Sequence, residues 1–324
     1  MSSGPKVQEH EADLVVDARE EIAEGVVALT LADPTGATLP AWTPGAHVDL
    51  ILTPELTRQY SLCSSLADTF RWKVGVLRDP SSRGGSDHIH DSVQQGDTVR
   101  VRGPRNHFPL VRSARYQFIA GGIGVTPMLP MIQTAEAIGA DWHLLYGGRS
   151  RASMGFLPEL SAYGEHVALW PQDEHGLLDL PAVLGTPHPE TLVYSCGPEA
   201  LLSAVEQGCT SWPAGALHIE RFAAKALDAS EAPGALEEFE IVCQRSGVTL
   251  KVSAGVSVLD ALEEAKINVM GSCREGVCGS CEAEVLEGVP DHRDSVLSDD
   301  EKAANDVIMT CVSRSLSERL VLDL

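Results

Sequence analysis

The stretch GSCREGVCGSC, Gly271–Cys281, holds three cysteines in the spacing C-x4-C-x2-C, and a fourth cysteine stands alone further on, at Cys311. This is the spacing of a plant-type [2Fe–2S] site. A loop that turns three thiolates toward one small cluster must curl tightly, and Gly271, Gly276 and Gly279 are expected to permit the backbone angles that this requires. The amides of such a loop can then point at sulfur and stabilise the negative charge of the reduced cluster.

Two other interpretations of these cysteines are a zinc site and unrelated buried thiols. Zinc sites usually combine a C-x2-C pair with a second such pair or with histidines. The x4 gap and the glycines favour the iron–sulfur interpretation instead. The predicted cluster ligands are Cys273, Cys278, Cys281 and Cys311.

The composition is that of a soluble globular protein with two or three domains, since 44% of the 324 residues are hydrophobic and 22% are charged. The formal net charge is 24 − 46 = −22. Such acidity argues against nucleic-acid partners and anionic membrane surfaces, because those are bound mainly by lysine and arginine, and it favours a basic protein partner.

The amino terminus, MSSGPKVQEHEADL, is polar and acidic and lacks the basic and apolar regions of a signal peptide. The most apolar stretch, Tyr116–Ile132, is interrupted by glycines and prolines and does not read as a membrane span. A cytoplasmic location is therefore expected, where the eight cysteines would not form disulfides.

Three patterns follow one another along the chain. Short alternating strands with turns over residues 13–110 predict an antiparallel β-barrel, in which His88 and His90 are read as surface residues of a β-like stretch. From Tyr116 onward, strands alternate with helices, which is typical of a parallel nucleotide-binding sheet. Residues 223–236 read as a linker, followed by a β-hairpin around Ser246–Gly247, an amphipathic helix and the cysteine loop.

Two barrel segments carry groups suited to a phosphorylated flat ring. In RQYSLCSS, Arg58 can pair with a phosphate, Tyr60 can lie along a ring and Ser61 can donate to a ring nitrogen. The segment RGGS, Arg83–Ser86, offers a cation, two glycines and a hydroxyl as a phosphate nest. An ordinary polar strand and a plain turn are the alternatives.

The second region carries loops suited to a dinucleotide. AGGIGVTPM, Ala120–Met128, follows a strand and opens a helix, so its glycines would let a pyrophosphate approach the backbone. SCGP and YGGRS end later strands, at the edge where such sheets bind ligands, and Asp173 follows a third strand as a ribose or adenine candidate. The alternatives are ordinary turns, a buried cysteine and a solvated carboxylate.

Taken together, R-x-Y-S, GGIGVTPM, CGP and C-x4-C-x2-C resemble the ferredoxin-NADP reductase superfamily in their order. The segment CREGVCGSCEAEVLEGVPDHRDSVLSDDEK narrows the resemblance to the phthalate dioxygenase reductase family, which includes vanillate O-demethylase reductases. The resemblance implies an antiparallel β-barrel FMN domain, an α/β parallel-sheet NAD domain and an α+β β-grasp plant-type ferredoxin domain. Their expected ranges are 1–112, 113–228 and 236–324.

The resemblance also carries residue roles onto matching positions, with FMN expected rather than FAD because of the RGGS loop. Ser61 and Cys196 are the expected catalytic residues. The expected flavin-binding residues are Arg58, Tyr60, Ser61, Leu62, Val74, Gly75, Val76, Arg83, Gly84, Gly85, Ser86, Thr126 and Phe222. The expected NADH-binding residues are Gly121, Gly122, Gly124, Arg149, Ser150, Asp173, Cys196, Gly197 and Pro198.

The implied activity is transfer of a hydride from NADH to FMN and of single electrons through the cluster to a Rieske-type oxygenase that acts on an aromatic compound. Alternatives are an NADH-dependent reductase that feeds a cytochrome P450 or a free ferredoxin, and a non-enzymatic electron carrier or redox sensor. Arg149 leaves NADPH open as the donor, since it can meet a 2′-phosphate.

The charge distribution predicts where the partner binds. Residues 231–324 contain 8 basic and 19 acidic residues, so 8 − 19 = −11 of the net charge of −22 lies in the predicted ferredoxin domain together with the last five linker residues before it. This predicts that the ferredoxin domain docks on a basic patch of the terminal oxygenase, with general solubility of an acidic protein as the alternative explanation.

Overall fold

The computed structural model describes residues 10–54, 56–80, 84–223 and 238–324. The chain forms two compact units, Met1–Glu220 and Arg221–Leu324, and each is described by itself. Within the described residues, no helix has both the length and the apolar character that crossing a membrane requires.

The first sheet of the first unit is antiparallel and has the strand order β4-β3-β6-β1-β2-β5. An antiparallel bridge between Leu62 and Val74 joins its two edge strands, which closes the sheet into the predicted barrel. The strands are β1 Glu11–Ala23, β2 Val26–Ala32, β3 His47–Thr53, β4 Leu56–Ser61, β5 Arg71–Leu77 and β6 Thr98–Arg105, and helix α1 is Gly85–Ser92.

The barrel strands alternate between an apolar and a polar face. On β3, Val48 and Leu50 are fully buried in the barrel core, while Asp49 between them accepts hydrogen bonds from Arg102 at 3.1 Å and Arg105 at 2.5 Å. The period of two therefore places the apolar side chains in the barrel interior, and the charge of Asp49 on the opposite face is buried but paired with two arginines.

The β-like assignment of His88 and His90 was wrong, because both residues lie in helix α1. The helix presents one apolar residue, Ile89, to the barrel core, and the polar residues around it hid the helical period. The ring of His90 is within hydrogen-bond distance, 3.1 Å, of the Val76 carbonyl oxygen.

The second sheet of the first unit is parallel, with the order β11-β10-β7-β8-β9. Helices cover both of its faces, since Phe118 and Trp142 belong to one apolar cluster and Ile119 and Leu145 belong to another. The elements are β7 Arg115–Gly121, α2 Met128–Ala137, β8 Asp141–Gly148, α3 Leu157–Ser161, β9 Val167–Pro171, α4 Gln172–His175, α5 Leu180–Leu184, β10 Thr191–Cys196, α6 Glu199–Gly208 and β11 Leu217–Glu220, with 3-10 turns at Gly122–Val125, Arg151–Ser153 and Gly164–His166.

The second unit has a mixed sheet in the order β13-β12-β18-β14-β16, with a parallel β12–β18 pair. The hairpin predicted around Ser246–Gly247 is present, and helix α7 starts at a Ser257 cap whose hydroxyl accepts the Asp260 N–H. The elements are β12 Phe239–Cys243, β13 Val248–Val252, α7 Val258–Glu264, β14 Glu282–Glu287, β15 Pro290–Asp291, α8 Asp299–Ala304, β16 Val307–Met309, β17 Arg314–Ser315 and β18 Arg319–Leu322.

The predicted fold class is confirmed, with an antiparallel barrel, a parallel α/β sheet and a ferredoxin-type domain in that order. The domain boundaries at 112/113, 228 and 236 stay predictions. Nearly all of the predicted linker, residues 224–236, lies outside the described residues.

Candidate functional site

The two predicted phosphate-binding segments of the barrel lie side by side. A Cβ on Gly85 would stand 2.3 Å from Cγ of Arg58, so only glycine lets helix α1 start this close to the arginine stem. Gly84 precedes the helix in the left-handed conformation, with φ 89°, and the buried Ser86 hydroxyl accepts the Asp79 N–H at 3.1 Å. A guanidinium beside a helix amino terminus suits a phosphate group. Arg83 lies outside the described residues.

The predicted ring-binding strand β5 lies at the junction between the barrel and the parallel sheet. A Cβ on Gly75 would stand 2.9 Å from Cγ2 of Thr126 and 3.0 Å from the ring of Phe156, so the strand approaches the second sheet without a side chain. Thr126 is itself buried, and its hydroxyl donates to the Ile123 carbonyl at 2.9 Å.

The remaining predicted flavin positions have different surroundings. Leu62, Val74 and Val76 are completely buried in the barrel, whereas Tyr60 is half-buried beside its core. Burial raises the pKa of the Tyr60 phenol above its usual value, so the ring is neutral at physiological pH. Phe222 belongs to the second unit and is 43% exposed, two residues beyond the end of β11.

The predicted nucleotide loops meet at the carboxyl edge of adjacent strands β7 and β10. A Cβ on Gly124 would stand 2.3 Å from the Cys196 carbonyl oxygen, and a Cβ on Gly121 would stand 2.8 Å from Cδ of Pro198. These glycines are predicted to admit a pyrophosphate, and the close contact between the two loops requires them as well. Gly122 faces open space and Gly197 lies beside Gly121, which keeps backbone exposed at this edge.

The predicted adenosine-ribose residues also come together. Asp173 donates its backbone N–H to the Arg149 carbonyl at 3.1 Å, which ties the loop after β9 to the loop after β8. Both side chains are exposed, whereas Ser150 caps the short turn that follows it. Next to them, Arg151 and Glu174 form an ion pair at 3.6 Å.

Ser61 and Cys196, the two predicted catalytic residues, share a third neighbour that the sequence argument missed. Glu220 ends the short strand β11 and is the register partner of Cys196 across the parallel β10–β11 pair. Burial raises the pKa of Glu220 to about 8, and the nearby Ser61 hydroxyl opposes that shift. Burial and the Glu220 carboxylate together raise the pKa of the Cys196 thiol far above its usual value.

Buried polar atoms at the junction between the barrel and the parallel sheet have few hydrogen-bond partners. Ser61 Oγ and Glu220 Oε2 are both buried, and apart from the contact of the two side chains with each other, neither atom makes a hydrogen bond of normal geometry to a described residue. Buried polar atoms are rarely left unpaired, so the two atoms fit a bound group with donors and acceptors, as the nitrogen edge of a flavin has. No sequence signal pointed to Glu220, because the four-residue strand β11 that carries it was not predicted.

The four predicted cluster thiols are neighbours. Hydrogen bonds from the Cys278 and Cys311 thiols hold the pKa of Cys273 well below its usual value, and a hydrogen bond from Cys311 lowers the pKa of Cys281. In the part of the chain that the structure describes, no three candidate ligands surround a single metal position. Cys273 is thus close to both Cys278 and Cys311, and Cys281 is close to Cys311, as the four ligands of one [2Fe–2S] cluster must be.

The cysteine loop is shaped for this purpose. Gly276 has φ 68°, and a Cβ there would stand 2.5 Å from Cγ2 of Val312 and 3.1 Å from Cα of Asp294, so the loop is packed tightly against two other segments. The N–H of Glu275 donates to Sγ of Cys273 at 3.3 Å, as expected for a loop whose amides point at sulfur. All eight cysteines are free of disulfides.

Comparison with known proteins supports both the cluster domain and its combination with the barrel and the parallel sheet in one chain. The family model of the 2Fe-2S iron-sulfur cluster binding domain matches residues 241–316. Phenoxybenzoate dioxygenase subunit beta of Ectopseudomonas oleovorans is 43% identical over 304 residues, which cover 93% of this chain and 94% of that protein. Phthalate dioxygenase reductase of Burkholderia cepacia is 37% identical over 317 residues, which cover 96% and 97% of the two chains.

Two solved structures extend the comparison. Phthalate dioxygenase reductase, described as a modular structure for electron transfer from pyridine nucleotides to [2Fe–2S], matches with a TM-score of 0.70 over 97% of this chain and 98% of that one, at 37% identity. An intact type IV self-sufficient cytochrome P450 monooxygenase matches with a TM-score of 0.91 at 43% identity, covering 97% of this chain. The chain spans only 41% of the length of that P450.

A flavin-type barrel, a nucleotide-binding sheet and a cluster domain in one chain define an iron–sulfur flavoprotein reductase. Full-length similarity then makes the assignment specific: the chain belongs to the phthalate dioxygenase reductase family. The predicted [2Fe–2S] cofactor and the enzyme class of oxygenase reductase are confirmed, and the non-enzymatic alternative is wrong.

Proposed function

We propose that this protein is the reductase component of a two-component Rieske-type oxygenase that attacks an aromatic compound. The observation that carries the reductase role is the convergence of Ser61, Cys196 and Glu220 where the barrel meets the parallel sheet. The full-length relatives named for phthalate and phenoxybenzoate dioxygenases support the choice of partner.

The cofactors supply the electron chemistry and the chain supplies their placement. When bound, FMN accepts a hydride from NADH and passes the two electrons singly to the [2Fe–2S] cluster, which holds one at a time. Arg58 and the start of α1 bind the flavin phosphate, and the glycine loops admit the nucleotide backbone. Because two rings held in contact need no strong acid or base, positioning is the main task of the protein.

The three residues at the junction have different tasks. Glu220 keeps its proton up to a pH of about 8 because it is buried, so at neutral pH it donates a hydrogen bond or a proton. The hydroxyl of Ser61 orients the flavin edge beside it. Cys196 remains a neutral thiol, so it does not act as a nucleophile. Its side chain provides an apolar surface against which the nicotinamide packs.

NADH is the proposed electron donor. Asp173 and Glu174 place two exposed carboxylates at the edge where the adenosine ribose would lie. Glu174 also forms an ion pair with Arg151. These carboxylates would repel the 2′-phosphate of NADPH, whereas the 2′-hydroxyl of NADH can donate a hydrogen bond to a carboxylate.

The acidic ferredoxin domain is the proposed docking surface for the oxygenase. Next to the cysteine loop, helix α7 exposes Asp260, Glu263 and Glu264. The arginine of the loop, Arg274, already donates to Asp260 at 2.7 Å and to Glu263, so it neutralises only part of this charge. A basic patch on the partner would be attracted to the remainder.

Reconstitution tests the proposal. The purified chain, loaded with FMN, iron and sulfide, is mixed with NADH and a Rieske-type oxygenase of the phthalate or phenoxybenzoate class, and product is measured at increasing salt. We expect NADH-dependent turnover that weakens with ionic strength. Absence of turnover would contradict the Rieske assignment, and indifference to salt would contradict the acidic docking surface.

A second candidate partner is a cytochrome P450. The specific observation in its favour is the 43% identity and TM-score of 0.91 with the self-sufficient P450 monooxygenase. The same preparation is therefore offered a substrate-bound P450 under carbon monoxide, where reduction is read from the shift of the haem band. Efficient P450 reduction without Rieske turnover would establish this alternative.

A further inference from the structure

Ser280 lies between two cluster ligands and contacts one of them through its side chain. Its Oγ is 3.0 Å from Sγ of Cys278, and its own N–H donates to the same sulfur at 3.4 Å. The same Oγ accepts the backbone N–H of Ser272 at 2.9 Å. The hydroxyl therefore links the amide at the start of the loop to the sulfur of a ligand.

The direction of this link follows from cluster chemistry. A cysteine that binds iron has lost its proton, so Sγ of Cys278 only accepts hydrogen bonds in the loaded protein. The Ser272 N–H already occupies an acceptor position of the Ser280 oxygen, which leaves the hydroxyl hydrogen for the sulfur. Each bond polarises the next, because the N–H withdraws electron density from the oxygen that donates to sulfur.

We infer that the Ser280 hydroxyl raises the reduction potential of the cluster by donating a hydrogen bond to the Cys278 thiolate. One-electron reduction adds negative charge to the cluster and its thiolates, and the hydroxyl keeps its proton throughout. A donor near sulfur stabilises the more negative, reduced form more than the oxidised form. Ser280 is a positioning residue in the electron path, and the inference rests on the cluster site of the proposed reductase.

The test is a dithionite titration of the full chain, with the reduced cluster measured by electron paramagnetic resonance. S280A and S280V remove the hydroxyl, whereas S280T keeps it on a side chain of the same shape as valine. S272A serves as the matched control, since the substitution keeps the backbone N–H that Ser272 donates to Ser280. We expect S280A and S280V to lower the equilibrium constant for reduction about tenfold, which is ~59 mV for one electron, and S280T and S272A to match the parent.

Each other outcome overturns the inference. Equal potentials in all five proteins would show that the hydroxyl has no influence, and equal shifts in S280T and S280V would show that side-chain shape is responsible. If S280A and S280V fail to hold a cluster that S280T holds, the hydroxyl serves assembly and does not set the potential. The titration uses neither NADH nor an oxygenase, so a parent chain without a two-iron cluster would refute the cluster site itself, independently of Ser280.

Discussion

Replacing Glu220 with glutamine is expected to remove a pH dependence of folding that the buried carboxyl creates. Its pKa is raised from 4.5 to about 8 by burial. Between these two pH values the unfolded chain has lost the proton and the folded chain retains it. The free energy of unfolding therefore falls as pH rises through this window and levels off above about pH 8. The shift of 8 − 4.5 = 3.5 pKa units sets an upper limit of about 5 kcal/mol for this loss.

The measurement is denaturant unfolding of the parent and E220Q from pH 5 to 9, followed by tryptophan fluorescence. All five tryptophans lie between residues 42 and 212, so the signal reports on the unit that contains Glu220. E165Q, which alters an exposed carboxylate of the same unit, should keep the slope of the parent. If E220Q shows that slope as well, Glu220 does not hold its proton to high pH and its role as a neutral donor is refuted.

Three further predictions concern electron flow. C278S should abolish NADH-driven reduction of cytochrome c through loss of the cluster, while reduction of a flavin-level dye persists; survival of both activities would refute the proposed electron path. In G124A, the new Cβ would stand 2.3 Å from the Cys196 carbonyl oxygen, so the two loops must move apart by at least 3.4 − 2.3 = 1.1 Å to reach an ordinary contact distance of 3.4 Å. This displacement should slow flavin reduction by NADH about 10²-fold, measured by stopped-flow absorbance, while FMN content stays unchanged. The double variant D173N/E174Q should raise the ratio of kcat/KM for NADPH to that for NADH about threefold or more, and an unchanged ratio would show that these carboxylates do not select the donor.

Much of the fold was predictable because its signals are local. Alternation in β3 and β5 sets which side chains enter the barrel, and the strand β10 and helix α6 appear as an apolar run followed by an amphipathic one. Several short elements were not predicted, among them α1, which has too few apolar residues to show a helical period, and β11, which is only four residues long. In short elements, packing against neighbours outweighs the intrinsic preference of the segment.

The sequence by itself predicted the fold class and the order of the three domains, and it singled out the four candidate cluster ligands and the glycines of the nucleotide loops. These features are contained in short stretches whose spacing alone restricts the chemistry, as in Gly271–Cys281. Only the tertiary structure decided that Glu220 lies beside Ser61 and Cys196, and that Gly124 must pack on the Cys196 carbonyl. The physical reason is that these contacts depend on the register of parallel strands and on barrel closure, which join residues far apart in the chain and leave no local pattern.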